Sequence, residues 1–273
     1  MNSELARRIK EQNWRVPEFT VTEFAPRATR YAVLIPVINE GQRIRKQLQC
    51  MSALSLTERV DTIIVDGGST DGSLAEGFLR AVGLRALVTK VGSGKLSAQL
   101  RCGYAWALLE GYQGIITIDG NGKDGVDTIP DFIAALDDNY GYVQASRFIP
   151  GGKSANTPLI RMLAIRLLHA PLLSLAARRW FTDTTQGYRA YSSTYLLHPE
   201  VQPFRDVFMR YELLAYLTVR ASQLGFKVKE LPTTRIYPER GAIPTKITNF
   251  ALVDLLCVLF RVLFGAYHPK VRH

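Results

Sequence analysis

A chain of 273 residues with 47% hydrophobic content is long enough to bury one sizeable α/β core. Its formal charge of +10 bears on partners and not on fold, and it keeps nucleic acid, an anionic membrane surface and a phosphorylated substrate in play. Three widely spaced cysteines, Cys50, Cys102 and Cys257, fit no metal-ligand spacing and suggest a reducing compartment, while the charged start MNSELARRIKEQNW does not read as a secretory signal.

In chain order, Tyr31 to Val37 is a short apolar run that feeds the polar pair Asn39-Glu40, which predicts a buried strand and a loop. Residues 41–54 have helical spacing. A second strand over 60–65 ends at Asp66-Gly67-Gly68-Ser69-Thr70-Asp71, followed by a helix over 73–82 and a third strand over 84–91. An Ala- and Leu-rich helix over 95–112 leads to a fourth strand over 114–118, which ends at Asp119. A helix over 129–137 and a strand over 142–145 complete the alternation. Strands and helices alternating at this spacing predict a mostly parallel sheet covered on both faces. Ligands in such sheets lie beyond the carboxyl ends of the strands, where Asn39, Glu40, Asp66, Asp119 and Arg147 fall.

The second half reads differently. Residues 157–180 form a long Leu/Ala/Arg helix that Pro171 should break or kink, because proline lacks the N–H of a helix bond. A helix over 208–224, a strand over 227–231 and a Gly/Pro-bearing loop over 237–245 follow. Residues 247–265 are very apolar, but Asn249, Asp254 and Arg261 interrupt them, which suits an interfacial or packed amphipathic helix better than a membrane span. Between Asn139 and Thr182 there is no Asp or Glu, against six Lys and Arg residues, so this span is expected to meet anions.

Negative evidence narrows the chemistry. Gly92-Ser-Gly-Lys95 has the wrong spacing for a phosphate loop, no G-x-G-x-x-G follows the first strand, no G-x-S-x-G elbow occurs, and the four histidines form no ligand cluster. No aromatic-basic interleaving supports nucleic-acid binding.

Four segments carry a resemblance: IPVINE at 35–40, VDGGSTDGS at 65–73, TIDGNGKD at 117–124 and DTTQGYRAY at 183–191. In order and spacing the chain resembles an inverting family 2 glycosyltransferase, nearest to the polyprenyl-phosphate (dolichyl-phosphate-like) hexose synthases. The resemblance covers 31–246. It implies an α/β fold: a single nucleotide-sugar-binding A-type domain with a mostly parallel central sheet and C-terminal amphipathic helices. Residues 1–30 would be a basic extension, 31–246 the catalytic domain, and 247–273 an amphipathic helix and basic tail.

The same resemblance implies roles. Pro36, Asn39, Glu40 and Asp66 would line the nucleotide. Asp119 would be the first acid of a metal-binding D-x-D motif, with Asn121 in place of the second and Asp124 as a further ligand for Mg or Mn. Lys123 would supply positive charge to the donor diphosphate, with Arg240 and Lys246 in a loop closing over it. Arg147, Arg161 and Arg189 would hold an acceptor phosphate, and Asp183 would orient an arginine or, for a hydroxyl acceptor, serve as base. The expected activity is transfer of a hexose from a nucleoside-diphosphate sugar to a polyprenyl phosphate, at the cytoplasmic face of the inner membrane and in cell-envelope glycan synthesis. The alternatives are transfer to a saccharide hydroxyl and a non-catalytic nucleotide-sugar or membrane-surface binding protein. The expected partners are the nucleotide sugar, the polyprenyl phosphate and an anionic membrane surface, with self-association left open.

Overall fold

The computed structural model describes residues 3–238 and 249–269, and of these the side chains of 249–253 are outside the description. The strands are β1 Phe19–Glu23, β2 Tyr31–Val37, β3 Asp61–Asp66, β4 Ala86–Lys90, β5 Gly114–Thr117, β6 Tyr142–Ser146, β7 Lys153–Ala155, β8 Arg189–Ser192, β9 Val228–Pro232 and β10 Thr234–Ile236. The helices are α1 Ser3–Glu11, α2 Gln42–Ala53, α3 Leu56–Arg59, α4 Glu76–Ala81, α5 Leu96–Leu109, α6 Ile129–Asp137, α7 Leu159–Ala164, α8 Ala170–Ala177, α9 Ser193–Leu196, α10 Glu212–Gln223 and α11 Asn249–Leu263.

Eight strands form one sheet in the order β1-β4-β3-β2-β5-β8-β6-β9. Its central strands are fully buried because side chains alternate between two cores. On β2, Ala32 and Leu34 face one core with α5, α8 and α10, while Val33, Ile35 and Val37 face the other with α2 and α6.

The sheet is mixed, and this corrects the mostly parallel A-type expectation. β2 through β5 run parallel, but β8 lies antiparallel between β5 and β6, and β1 lies antiparallel on the edge beside β4. Both interruptions are short segments, so their alternation is too brief to register as a strand pattern in the sequence. Residues 19–23, within the segment expected as a basic extension, are thus an edge strand. A separate two-stranded parallel ribbon joins β7 and β10.

The apolar helix also departs from expectation. Residues 159–177 stay helical through Pro171 because a π turn, Ile165–His169, immediately precedes it. The wider turn absorbs the backbone group that proline cannot bond, so no break is needed. Among the described residues this is the one helix that by length and composition could cross a bilayer, which is weak evidence on its own. The C-terminal helix α11 rests on α8 and α10 and buries Val258, Leu259 and Val262. Its Asp254 pairs with Arg210 of the body.

Candidate active site

The site forms at the carboxyl ends of β2, β3, β5 and β6. After β2 the chain turns through Asn39, whose φ of 50° is one that Asn tolerates better than most residues. Its side-chain oxygen accepts from the Thr70 N–H at 2.8 Å, and its own N–H donates to Ser69 Oγ at 3.0 Å. Asp66, at the end of β3, accepts from the Ser69 N–H at 2.9 Å and Oγ at 2.6 Å. Asp71 ties this loop to the first by accepting from the Gly41 N–H at 2.8 Å. Asn39 and Asp66 therefore shape one another's loops, and Glu40 is paired with Arg43 at 2.8 Å. Pro36 lies one residue before the end of β2, in register with Val65.

Gln99 of α5 holds these loops from beneath. Its Nε2 donates to the carbonyls of Val37 and Val65, at 2.9 and 2.5 Å. One side chain thereby fixes the ends of β2 and β3 together. Gln47 of α2 does a similar service for the next loop by accepting from the Gly122 N–H at 3.2 Å.

Asp119 follows β5 and is 23% exposed, whereas Asp124 five residues on is enclosed. Gly187 is packed against it: a Cβ there would lie 2.1 Å from Asp119 Oδ1. A Gly187→Ala variant is therefore expected to push the carboxylate aside and lower turnover by about 10- to 100-fold, by the sensitivity of catalysis to ångström-scale misplacement. Steady-state kinetics with an unchanged thermal midpoint would separate this from a folding defect.

Asn121 donates to Asp119 Oδ2 at 3.4 Å, and its carbonyl oxygen accepts from the Lys123 N–H at 3.2 Å. Asp124 is fully enclosed, and both its oxygens accept from one nitrogen, Arg235 Nη1, at 2.5 and 2.7 Å. Burial raises the Asp124 pKa and Arg235 opposes it, leaving it above the ordinary value. A guanidinium this close holds the carboxylate form nonetheless. Among the described residues no three acidic, His or Cys groups gather for a metal. Asp119 alone still fits Mg²⁺ or Mn²⁺, because such ions commonly take one carboxylate and complete their shell with phosphate oxygens and water.

Arg235, on β10, also approaches Asp119 at 3.4 Å. Around it, Lys123 and Arg161 converge on the Tyr237 ring, with Lys123 Nζ 4.9 Å from the centroid and Arg161 Nη1 donating to the phenol oxygen at 3.0 Å. Burial raises the Tyr237 pKa, but Arg235 and Arg161 outweigh it and bring it down to about 8. An acid whose folded pKa lies below its unfolded value gains stability as pH rises between the two. Wild type is therefore expected to gain stability between about pH 8 and 10 relative to Tyr237→Phe. Chemical denaturation of both proteins across that range checks the sign.

On the β6 side, Arg147 pairs with Asp183 at 2.6 Å, both completely buried. Burial raises the Asp183 pKa, yet the Arg147 charge and hydrogen bonds from Arg147, Gln186 and Thr185 leave it lowered overall. Glu230 of β9 fixes this turn by accepting from the Thr182 and Asp183 N–H groups at 2.9 and 3.2 Å. Arg147 Nη1 is buried without a partner among the described residues. Arg189 is buried too, and its guanidinium donates to the carbonyls of Thr184, Gln186 and Leu214 and to Thr218 Oγ1. The structure brings together Asp119, Asn121, Lys123, Asp124 and Arg161, sets Arg147 against Asp183, and keeps Arg189 inside the core. Arg240 and Lys246 lie outside the described residues. Arg235, Tyr237, Gly187, Gln99 and Glu230 were not singled out from sequence.

The site thus combines loops at strand ends, a partly exposed carboxylate at Asp119 and a group of cations around Tyr237. No family model matches the chain. It is 28% identical over 218 residues to polyprenol monophosphomannose synthase of Mycolicibacterium smegmatis, covering 78% of this chain and 79% of that protein. It is likewise 28% identical over 218 residues to undecaprenyl-phosphate mannosyltransferase of Micrococcus luteus, covering 78% of this chain and 86% of that one. Among solved structures it is similar to glucosyl-3-phosphoglycerate synthase from Mycobacterium tuberculosis with Mn²⁺, UDP-glucose and phosphoglyceric acid. The TM-score is 0.61 at 17% identity, over 95% of this chain and 84% of that one. Mannosyl-3-phosphoglycerate synthase from Rubrobacter xylanophilus gives a TM-score of 0.57 at 13% identity, over 99% and 80%.

These complexes agree with the expected divalent cation and nucleotide-sugar donor. They correct the expected branch and acceptor. The structural likeness is to phosphoglycerate-dependent synthases, and the molecules bound beside the donor there are phosphoglyceric acid and glycerol 3-phosphate, not a polyprenyl phosphate. The polyprenyl-phosphate hexose synthase assignment, the polyprenyl phosphate and the membrane surface as partner are set aside on that ground.

Proposed function

We propose that the chain transfers a sugar from a nucleoside-diphosphate sugar to a hydroxyl of a small phosphorylated acid, in the cytoplasm and with a divalent cation at Asp119. The observation that carries this reading is the cluster of Lys123, Arg161 and Arg235 next to the partly exposed Asp119 carboxylate. A compact phosphorylated acceptor needs cations within reach of the donor's anomeric carbon, and arginine's planar fork suits phosphate and carboxylate oxygens. The cation would neutralise the leaving diphosphate. Asn39, Glu40 and Asp66 would border the nucleotide.

In this reading Asp183 positions Arg147 and does not act as a strong base, because its lowered pKa reduces its affinity for a proton, and the acceptor hydroxyl's proton would pass to an oxygen of the departing nucleoside diphosphate. Rate would come from holding the two substrates together and stabilising charge on the leaving group. The test is incubation of the purified chain and Mn²⁺ with a panel of nucleotide sugars, offering phosphoglyceric acid, glycerol 3-phosphate and related small phosphate esters. A glycosylated ester is the expected product. Its absence with every donor sinks the proposal.

A further inference from the structure

A second cationic cleft opens at the other end of the sheet. It has a volume of about 560 Å³ and is lined by Arg178, Arg179, Arg220, Ser222, Phe226 and His268, among others, with no Asp or Glu in the lining. Its place follows from strand direction. Arg179 Nη2 donates to the carbonyl of Val228, the first residue of β9, whereas Pro232 at the far end pairs with Ser146 next to Arg147. Four residues of strand separate the two regions by about 13 Å.

Two features mark the cleft as more than a solvated surface. Arg178 ends α8 with a φ of 52°, and its guanidinium has no hydrogen-bond or ion-pair partner among the described residues. The Ser222 hydroxyl is shielded from solvent and also lacks a partner. Arg220, by contrast, is engaged with Glu200 at 2.8 Å and with Gln223 at 3.3 Å, and Glu200 itself is 64% exposed and outside the lining. Burial and the neighbouring Arg220 and Arg205 charges hold His268 below its ordinary pKa, which fits an excess of positive charge here. Part of the acid-free stretch noted in the sequence therefore serves this cleft and not the transfer site.

We propose that this cleft is a second binding site, for a small molecule bearing a phosphate or diphosphate group. Arg178 and Arg179 would meet the anion at the mouth and Phe226 would pack against the remainder of the ligand. The Arg178 guanidinium offers two parallel N–H donors to phosphate oxygens, Arg179 adds the donors not spent on Val228, and the site needs nothing from the donor pocket.

The test is calorimetric titration of the full chain with inorganic pyrophosphate at low ionic strength, where surface charge is least screened. Two sites are expected. The double variant R178Q/R179Q should weaken one by about tenfold or more, the loss of charge-assisted bonds, and leave sugar transfer unchanged. K123Q should weaken only the other. Circular dichroism confirms the fold, and both arginines are exposed enough for the change to be tolerated. A single site that responds only to K123Q overturns the proposal. So does binding to phosphatidylglycerol vesicles without binding to pyrophosphate. Because the two binding readouts do not require turnover, failure here is distinct from failure of the proposed transfer.

Discussion

Asp119→Asn is expected to lower turnover on the order of a thousandfold, with the thermal midpoint nearly unchanged. The side chain stays the same size, so the contact with Gly187 survives, and its neighbours Asn121 and Arg235 are each 3.4 Å away and weakly held. What is lost is the partly exposed negative charge at Asp119. Without it a divalent cation has an amide in place of a carboxylate, and the Lys123, Arg161 and Arg235 cations have one fewer counterweight. Raising the Mn²⁺ concentration should recover part of the activity if the defect is metal affinity. Wild-type turnover in the variant would remove Asp119 from the site altogether.

Arg235→Ala is expected to be the most destabilising substitution near the site, costing about 3–5 kcal/mol. The reason is what stays behind: Asp124 is fully buried and would face an empty space where its cationic partner stood. For a chain of this size that cost should appear as a fall in thermal midpoint of about 10 °C. Replacing both partners, as Asp124→Leu with Arg235→Met, should recover most of the loss, because no charge is then stranded. Differential scanning calorimetry of the single and double variants decides this. A single-variant shift under about 2 °C would mean that water reaches Asp124.

These two residues also show what the sequence could and could not tell. Asp119 was legible because an apolar run ends on it, and a strand end is where a parallel arrangement places ligands. Asn39, Asp66 and Arg147 were proposed by the same rule, and the structure places them at or just beyond the ends of β2, β3 and β6. Arg235 could not be found that way. It lies more than a hundred residues from Asp119 and sits on a three-residue strand with no pattern of its own. Gly187 and Gln99 matter through close packing and a carbonyl clasp, which leave no trace in spacing. Arg189 misled in the opposite direction: an arginine in a polar motif reads as a ligand-binding group, yet this one spends its donors on carbonyls of the core. The mixed sheet was missed because β8 and β1 span four and five residues, too short for alternation to declare itself.

The π turn at Ile165–His169 has a consequence for how the site can vary. A turn of this kind holds one residue more than a regular helix would, so the helix on its N-terminal side is rotated by about 100° relative to an uninterrupted one. Arg161 lies on that side, and its reach to Tyr237 depends on the rotation. Deleting one residue between Ile165 and His169 would shorten the helix by one residue, remove the turn that accommodates Pro171 and turn Arg161 away from the phenol. The extra residue therefore acts as an angular setting for one cation, adjustable by insertion or deletion without rebuilding the sheet.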